Sequence, residues 1–141
     1  MTNPAHTPAD RLAAGSQRFE ATMGTPAQGF IDAFQDVAPD FGRYILEWEF
    51  GDLYGRPGLD LKTREIVVVA ACATLGVVGH GAVKMHIKAA LKAGATRTEI
   101  AEALMQVGFA AGLPIAIGAL EVAKAAFAEV DANVGTPAAA S

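Results

Sequence analysis

The stretch from Ile66 to Leu75, IVVVAACATL, constrains this 141-residue chain more than any other. It continues from Asp60-Leu61-Lys62-Thr63-Arg64-Glu65, where Asp60 holds an N-cap position, and it stops at Gly76. At helical period these residues leave no polar face, so the helix is expected to be buried all round, in a core or against another subunit. The β-branched run Ile66 to Val69 also suits a strand, but the chain offers no second convincing strand to pair with it.

The other segments read as helices too. Leu12, Phe19 and Met23 recur near helical spacing from Pro8 to Met23, and Gly24-Thr25-Pro26 ends that helix. Phe30, Ile31, Phe34 and Val37 predict a second, which Pro39 closes while opening a third from its first turn. The third carries Phe41, Tyr44, Ile45, Trp48 and Glu49 and is expected to end at Gly51. DLYGRPGLD, Asp52 to Asp60, reads as an ordered loop. After the short Val77-Val78-Gly79 connection, His80 to Ala93 forms a helix with Lys84, Lys88 and Lys92 on one stripe, closed by Gly94. Thr96-Arg97-Thr98-Glu99 is a capping box, so the next helix starts at Arg97 and presents Ile100, Leu104, Val107 and Ala111 up to Gly112. Pro114 sits in the first turn of a last helix running to about Val130, and Gly135 to Ser141 reads as a frayed tail. The fold class is all-α, a compact domain of about six or seven helices.

Composition narrows function. The chain is 52% hydrophobic and only 18% charged, against a usual charged share of about a quarter. So small a domain hides that much apolar surface poorly alone, which predicts a homo-oligomer. A net charge of −4 supplies no basic field for nucleic acid. One cysteine, Cys72, rules out an intrachain disulfide and suits a reducing compartment. The polar MTNPAHTPADR start does not read as a signal peptide, and no uninterrupted apolar run reaches the roughly 18 residues of a membrane span. A cytoplasmic protein with no nucleic-acid or membrane partner is the expectation.

The chain has no G-x-G-x-x-G after a strand, no P-loop, no G-x-S-x-G, no H-E-x-x-H and no zinc-type cysteine-histidine spacing. No metal and no organic cofactor is therefore expected. What remains is a set of polar residues within apolar helices. Glu65 is either a first-turn acid that favours the helix dipole, the reading its position prefers, or a buried acid. His86 is ringed by Gly79, Ala82, Ala89 and Ala90; it is either an acid–base group with room for a ligand or a core histidine bonded to a backbone carbonyl. His80, opening the same helix, suits either a surface or a catalytic role, and His6 is discounted in the N-terminal tail. Cys72 reads as a small buried hydrophobe, since no cation stands beside it in sequence to ionise it. Arg43, Arg56 and Arg64 are the available forks for a substrate carboxylate. Tyr44, Trp48 and Tyr54 read chiefly as packing residues, with Trp48 kept as a substrate contact.

As an ordered set, R-P-G-L-D-L-K-T-R-E from Arg56 to Glu65, H-x-x-A-A-L-x-x-G from His86 to Gly94, and A-G-x-P from Ala111 to Pro114 resemble the carboxymuconolactone decarboxylase family. The likeness covers roughly Pro39 to Ala128. It implies a helical fold of the alkylhydroperoxidase D-like superfamily, with residues 1–38 as an N-terminal helical arm, 39–131 as the family domain and 132–141 as a flexible tail. It further implies a homotrimer or homohexamer that needs no cofactor and takes a small carboxylated substrate. The implied reaction, in aromatic-compound breakdown by the β-ketoadipate route, converts 4-carboxymuconolactone to the enol-lactone of 3-oxoadipate. His86 would then be general acid or oxyanion donor, Glu65 its orienting or relaying partner, and His80 a second histidine of the relay. Arg56, Arg64, Arg43 and Trp48 would contact substrate.

Superfamily relatives that reduce peroxides use a C-x-x-C pair before the helix histidine. This chain resembles them but carries Gly79 and Ala82 at those places, against a dithiol peroxidase. Ala110 and Gly118 stand where the decarboxylases often carry tyrosine and asparagine, which is expected to enlarge and depolarise the pocket. Two other readings stay open: different acid–base chemistry on a lactone or keto acid, and a non-catalytic oligomeric binding protein.

Overall fold

The computed structural model describes residues 7–135. They contain helices and turns but no strand, and two compact units divide between Leu59 and Asp60.

The first unit contains α1 (Pro8–Met23), α2 (Ala27–Asp32) and α3 (Phe41–Ile45), the last running directly into a π-helical segment, Leu46–Leu53. Thr7 and Asp10 cap α1 reciprocally, and Gly24 ends it at φ 73°, a left-handed conformation that glycine adopts without penalty. The second helix is shorter than its apolar spacing predicts. It stops at Asp32, and residues 33–37 form turns that leave Val37 exposed, off the apolar face assigned to it. Pro39 precedes the N-cap Asp40 rather than lying inside α3.

The helix begun at Phe41 does not end at Gly51 either. It widens, so that Tyr54 N–H donates to Glu49 O at 2.7 Å, and helical turns continue to Leu53. Such π-helical turns are rare and leave backbone groups needing other partners. Arg18 of α1 supplies them, donating from Nη1 to the carbonyls of Phe50 (3.1 Å) and Gly51 (2.8 Å). Two glycines let the backbones approach: a Cβ on Gly15 would overlap Leu46 O, and one on Gly51 would lie 2.8 Å from Arg11 O. Phe19, Leu46 and Phe50 are buried beside them, with the Phe19 and Phe50 rings edge to face at 5.1 Å.

The second unit holds α4 (Leu61–Ala73), a 3₁₀ turn (Gly76–Gly79), α5 (His80–Lys92), α6 (Arg97–Ala111) and α7 (Leu113–Gly135). Its starts follow local signals. Asp60 accepts from Thr63 N–H at 2.7 Å, and the Thr96/Glu99 capping box forms in both directions. Gly94 has φ +100°. The last helix runs to Gly135, beyond the expected Val130, and residues 136–141 of the expected tail lie outside the described residues, as does His6. Val69, Val83, Ile87, Ile100, Leu104 and Ala119 form a fully buried core, with Cys72 packed partly buried against it.

The apolar helix is not buried all round within one chain. The helix stops at Ala73, short of the expected Gly76; Val69 and Ala73 face the core, but Val67 is 51% exposed, and Leu75, in the turn that follows, is 61% exposed. The absence of a polar face is a property of its sequence, whereas its burial depends on what the rest of the chain covers.

Candidate active site

The acid and the histidine meet between α4 and α5. Glu65 lies one turn before the core residue Val69, and His86 shares a face with Val83 and Ala90. Packing α4 on α5 through these residues brings the two polar groups together: His86 Nδ1 lies 2.6 Å from Glu65 Oε2. Glu65 is 0% exposed and His86 4%. Glu65 falls in the second turn of α4, whose first turn carries no acid, so the helix-dipole reading is replaced by the buried-acid one. With the carboxylate ionised, Nδ1 carries the hydrogen and donates it, leaving Nε2 as the second ring nitrogen. A protonated ring beside that carboxylate forms a neutral ion pair, the form in which a buried charge is tolerated. Anchoring one ring nitrogen on the carboxylate holds the imidazole in a fixed tautomer, as a proton donor requires.

His80 opens α5 six residues earlier and is half-buried. Its backbone is set by Gly79, where a Cβ would overlap Cys72 O. No side chain fits at that place. The ring of His80 rests on α7, since a Cβ on Gly118 would lie 3.3 Å from its Nε2 and 3.4 Å from its Cε1. The enlargement expected at Gly118 is therefore absent, because an imidazole occupies the space. Ala110 is exposed on α6. Sequence reasoning missed the Gly118–His80 contact; its one signal was a glycine in the interior of an apolar helix.

The arginines are dispersed. Arg64 is buried in α4 next to Glu65. Arg56 is exposed in the first unit. Arg43 turns its fork to its own segment, donating from Nη1 to Glu47 at 2.8 Å and from Nη2 to Asp40 at 3.3 Å. Those partners hold its guanidinium above the usual arginine range, Glu47 foremost. Trp48 is 62% exposed in the π-helical segment. Of the seven expected site residues the structure thus joins Glu65 and His86 directly, with Arg64 and His80 in the same unit.

Lys84 and Lys88, which flank His86 in sequence, both reach Glu129 of α7. Hydrogen bonds from Lys84 and then Lys88 hold the Glu129 carboxyl below the usual carboxylate range. Surface depressions beside Glu20, Arg18 and Tyr44 lie in the first unit, and none of them is lined by Glu65, His80 or His86. Among the described residues no group of three or more His, Cys, Asp or Glu side chains is placed to hold a metal ion, and no helix is long and apolar enough to cross a membrane.

A 15.0 kDa uncharacterized protein of Paracoccus denitrificans is 37% identical over 99 residues, 70% of this chain and 74% of its own length. The 4-carboxymuconolactone decarboxylase of Acinetobacter baylyi is 29% identical over 100 residues, 71% of this chain and 73% of its own. The nitrosuccinic acid decarboxylase of Metarhizium robertsii is 35% identical over 82 residues, 55% and 53% of the two chains. In the solved structures, a Burkholderia xenovorans LB400 protein named for carboxymuconolactone decarboxylase superposes with a TM-score of 0.61 at 20% identity, covering 92% of this chain and all of its own, a likeness of fold. The sequence profile of the carboxymuconolactone decarboxylase family matches residues 39–125, which span both Glu65 and His86. The chain belongs to the carboxymuconolactone decarboxylase family.

Proposed function

We propose that this protein is a carboxy-lyase that removes carbon dioxide from a small carboxylated acid whose departing electron pair enters a neighbouring π-acceptor, with 4-carboxymuconolactone as the substrate of first choice. The observation that carries the reading is the buried 2.6 Å Glu65–His86 pair inside the family-matched segment. The names of two relatives support the class: one acts on a lactone acid and the other on a nitro acid. In both substrates a carbonyl or nitro group can accept the electrons released by carbon–carbon cleavage.

In 4-carboxymuconolactone the carboxylate sits on the γ-carbon of an unsaturated lactone. Its carbon–carbon bond breaks, carbon dioxide leaves, and the electron pair moves through the double bond onto the lactone oxygen. Protonation at the carbon next to the carbonyl then gives the enol-lactone. The substrate itself is the electron sink, so the reaction calls on the protein only for binding, exclusion of water, charge stabilisation and one proton. His86 Nε2 supplies the proton or hydrogen-bonds the developing oxyanion. Glu65 fixes the ring and balances its charge, and solvent returns the proton. Arg64, buried beside Glu65, is the favoured contact for a second substrate carboxylate. Arg56, Arg43 and Trp48 lie in the first unit and keep a weaker claim. Dithiol peroxidase chemistry is not proposed, because residues 79 and 82 are glycine and alanine.

Self-assembly belongs to the same reading. Val67, Leu75, Val77, Val78, Phe109, Leu113 and Ile117 are all more than half exposed in the single chain, an apolar surface beyond what a stable monomer normally leaves in water.

The test is ultraviolet and carbon-dioxide monitoring of the purified protein with 4-carboxymuconolactone, beside His86→Ala. Turnover that falls by about 10²- to 10⁴-fold in the variant is the expected result for loss of a general acid. Absence of turnover by the intact oligomer would move the search to other lactone and keto acids, the second reading of this site.

A further inference from the structure

Two faces of the chain leave large apolar side chains in water, and they differ in charge. In the first unit Phe41, Tyr44 and Trp48 lie along α3 and the π-helical segment, each about half exposed or more. Asp40, Arg43, Glu47 and Glu49 alternate with them, and Arg43 pairs with both Asp40 and Glu47. Covering that face would also take charged groups out of water, at a cost. The second unit has a face of the other kind. No Lys, Arg, Asp or Glu occurs from Ile66 to Val83 or from Ala103 to Leu120. The fold sets parts of these two stretches side by side: Ile115 Cδ1 lies 3.4 Å from where a Cβ on Gly76 would be, and Leu113 Cδ2 lies as close to one on Gly108. The turn after α4 thus adjoins the elbow between α6 and α7. Leu75, Val77, Val78, Phe109, Leu113 and Ile117 on these two pieces are all more than half exposed, Phe109 at 97%. Together they offer on the order of 800 Å², the share that one partner brings to a protein interface of standard size. A face without charge selects a partner face without charge, because a charge set against it would be buried unpaired. Among the described residues, the exposed apolar face that meets this condition is the same face on another copy, and a face complementary to itself pairs across a two-fold axis.

We propose that the Leu75–Gly79 turn and the α6–α7 elbow form the contact through which two copies of this chain associate, each giving the same face, with Phe109 as the anchor. The proposal rests on the self-assembly put forward above and names the surface that carries it. The aromatic face of the first unit, with charges between its rings, stays outside this contact.

The experiment is sedimentation of the full chain over a range of concentrations, with helicity checked by circular dichroism. It compares the parent protein with Phe109→Asp, Phe109→Lys and Leu113→Asp on the charge-free face and with Trp48→Asp on the aromatic one. Each of the first three variants is expected to weaken association on the order of 100-fold or more while keeping its helicity, because each buries a charge in the contact. Trp48→Asp is expected to keep the parent mass. An equimolar mixture of Phe109→Asp and Phe109→Lys is expected to associate again, since a face that meets itself brings the two opposite charges together. A mixture that stays dissociated overturns the two-fold pairing. A parent oligomer that survives Phe109→Asp and Leu113→Asp but falls apart in Trp48→Asp overturns the choice of face and leaves self-assembly standing. A parent protein that is monomeric at every concentration removes self-assembly itself, and this contact with it.

Discussion

Glu65 shows how far a single residue can be read. Its position five residues past Asp60 suggested a helix-start charge, yet the folded chain leaves it 0% exposed with one oxygen on His86. A buried pair of this kind is costly to break and cheap to replace. Glu65→Ala, which strands the histidine, is expected to destabilise by about 3–5 kcal/mol. The double change Glu65→Leu with His86→Leu should recover most of that loss while abolishing turnover. Urea unfolding of both variants beside the parent protein checks it; a double variant as unstable as Glu65→Ala would mean that the pair is essential to the packing of α4 on α5. Gly79 gives a second case. A side chain there would overlap Cys72 O, so Gly79→Ala is expected to cost on the order of 1–3 kcal/mol, read by the same method.

At the scale of elements, helix starts and stops were legible because they are made by neighbours in sequence. The Thr96/Glu99 box and the Asp60 cap formed as their spacing predicted, and Thr96→Ala should cost about 1 kcal/mol of stability. Charged ties add a pH dependence with a definite sign. The backbone N–H of Thr63 holds Asp60 below the usual range, and that of Thr96 does the same for Glu99. Lys84 lowers Glu129 and Arg97 lowers Asp131 through hydrogen bonds. Each carboxyl is more acidic folded than unfolded. Its contribution is therefore complete above the ordinary carboxylate values and is lost as pH falls through the depressed folded ones. The melting temperature should accordingly drop between about pH 5 and pH 3. The drop should be smaller in Glu129→Gln and smaller again in high salt, which screens exposed pairs. What the sequence hid at this scale is the π-helical Leu46–Leu53. Nothing in LEWEFGDL announces it, because the widened turn is completed by Arg18 from another helix and by the close approach of Gly15 to Leu46.

For the molecule as a whole, an apolar content of 52% implied that one chain cannot cover its own surface, and Val77 and Val78 are exposed at 81% and 89%. Light scattering is expected to give a multiple of the protomer mass. Val78→Asp should shift the population toward monomer, since a charge buried in an apolar contact is costly; an unchanged mass would place the contact on another face. Features carried by residues a few positions apart were determined by the sequence alone: the all-α class, the capped helices of the second unit, and the ordered motifs that mark the family. Only the tertiary structure decided the rest. Glu65 and His86 are 21 positions apart and meet because α4 packs on α5 through Val69 and Val83. His80 rests on Gly118, and one side of the most apolar helix stays exposed, for the same reason. Local hydrogen bonds and helical period are short-range and can be read along the chain, whereas burial and pairing depend on which distant surfaces close over a residue, and that exists only once the helices have packed.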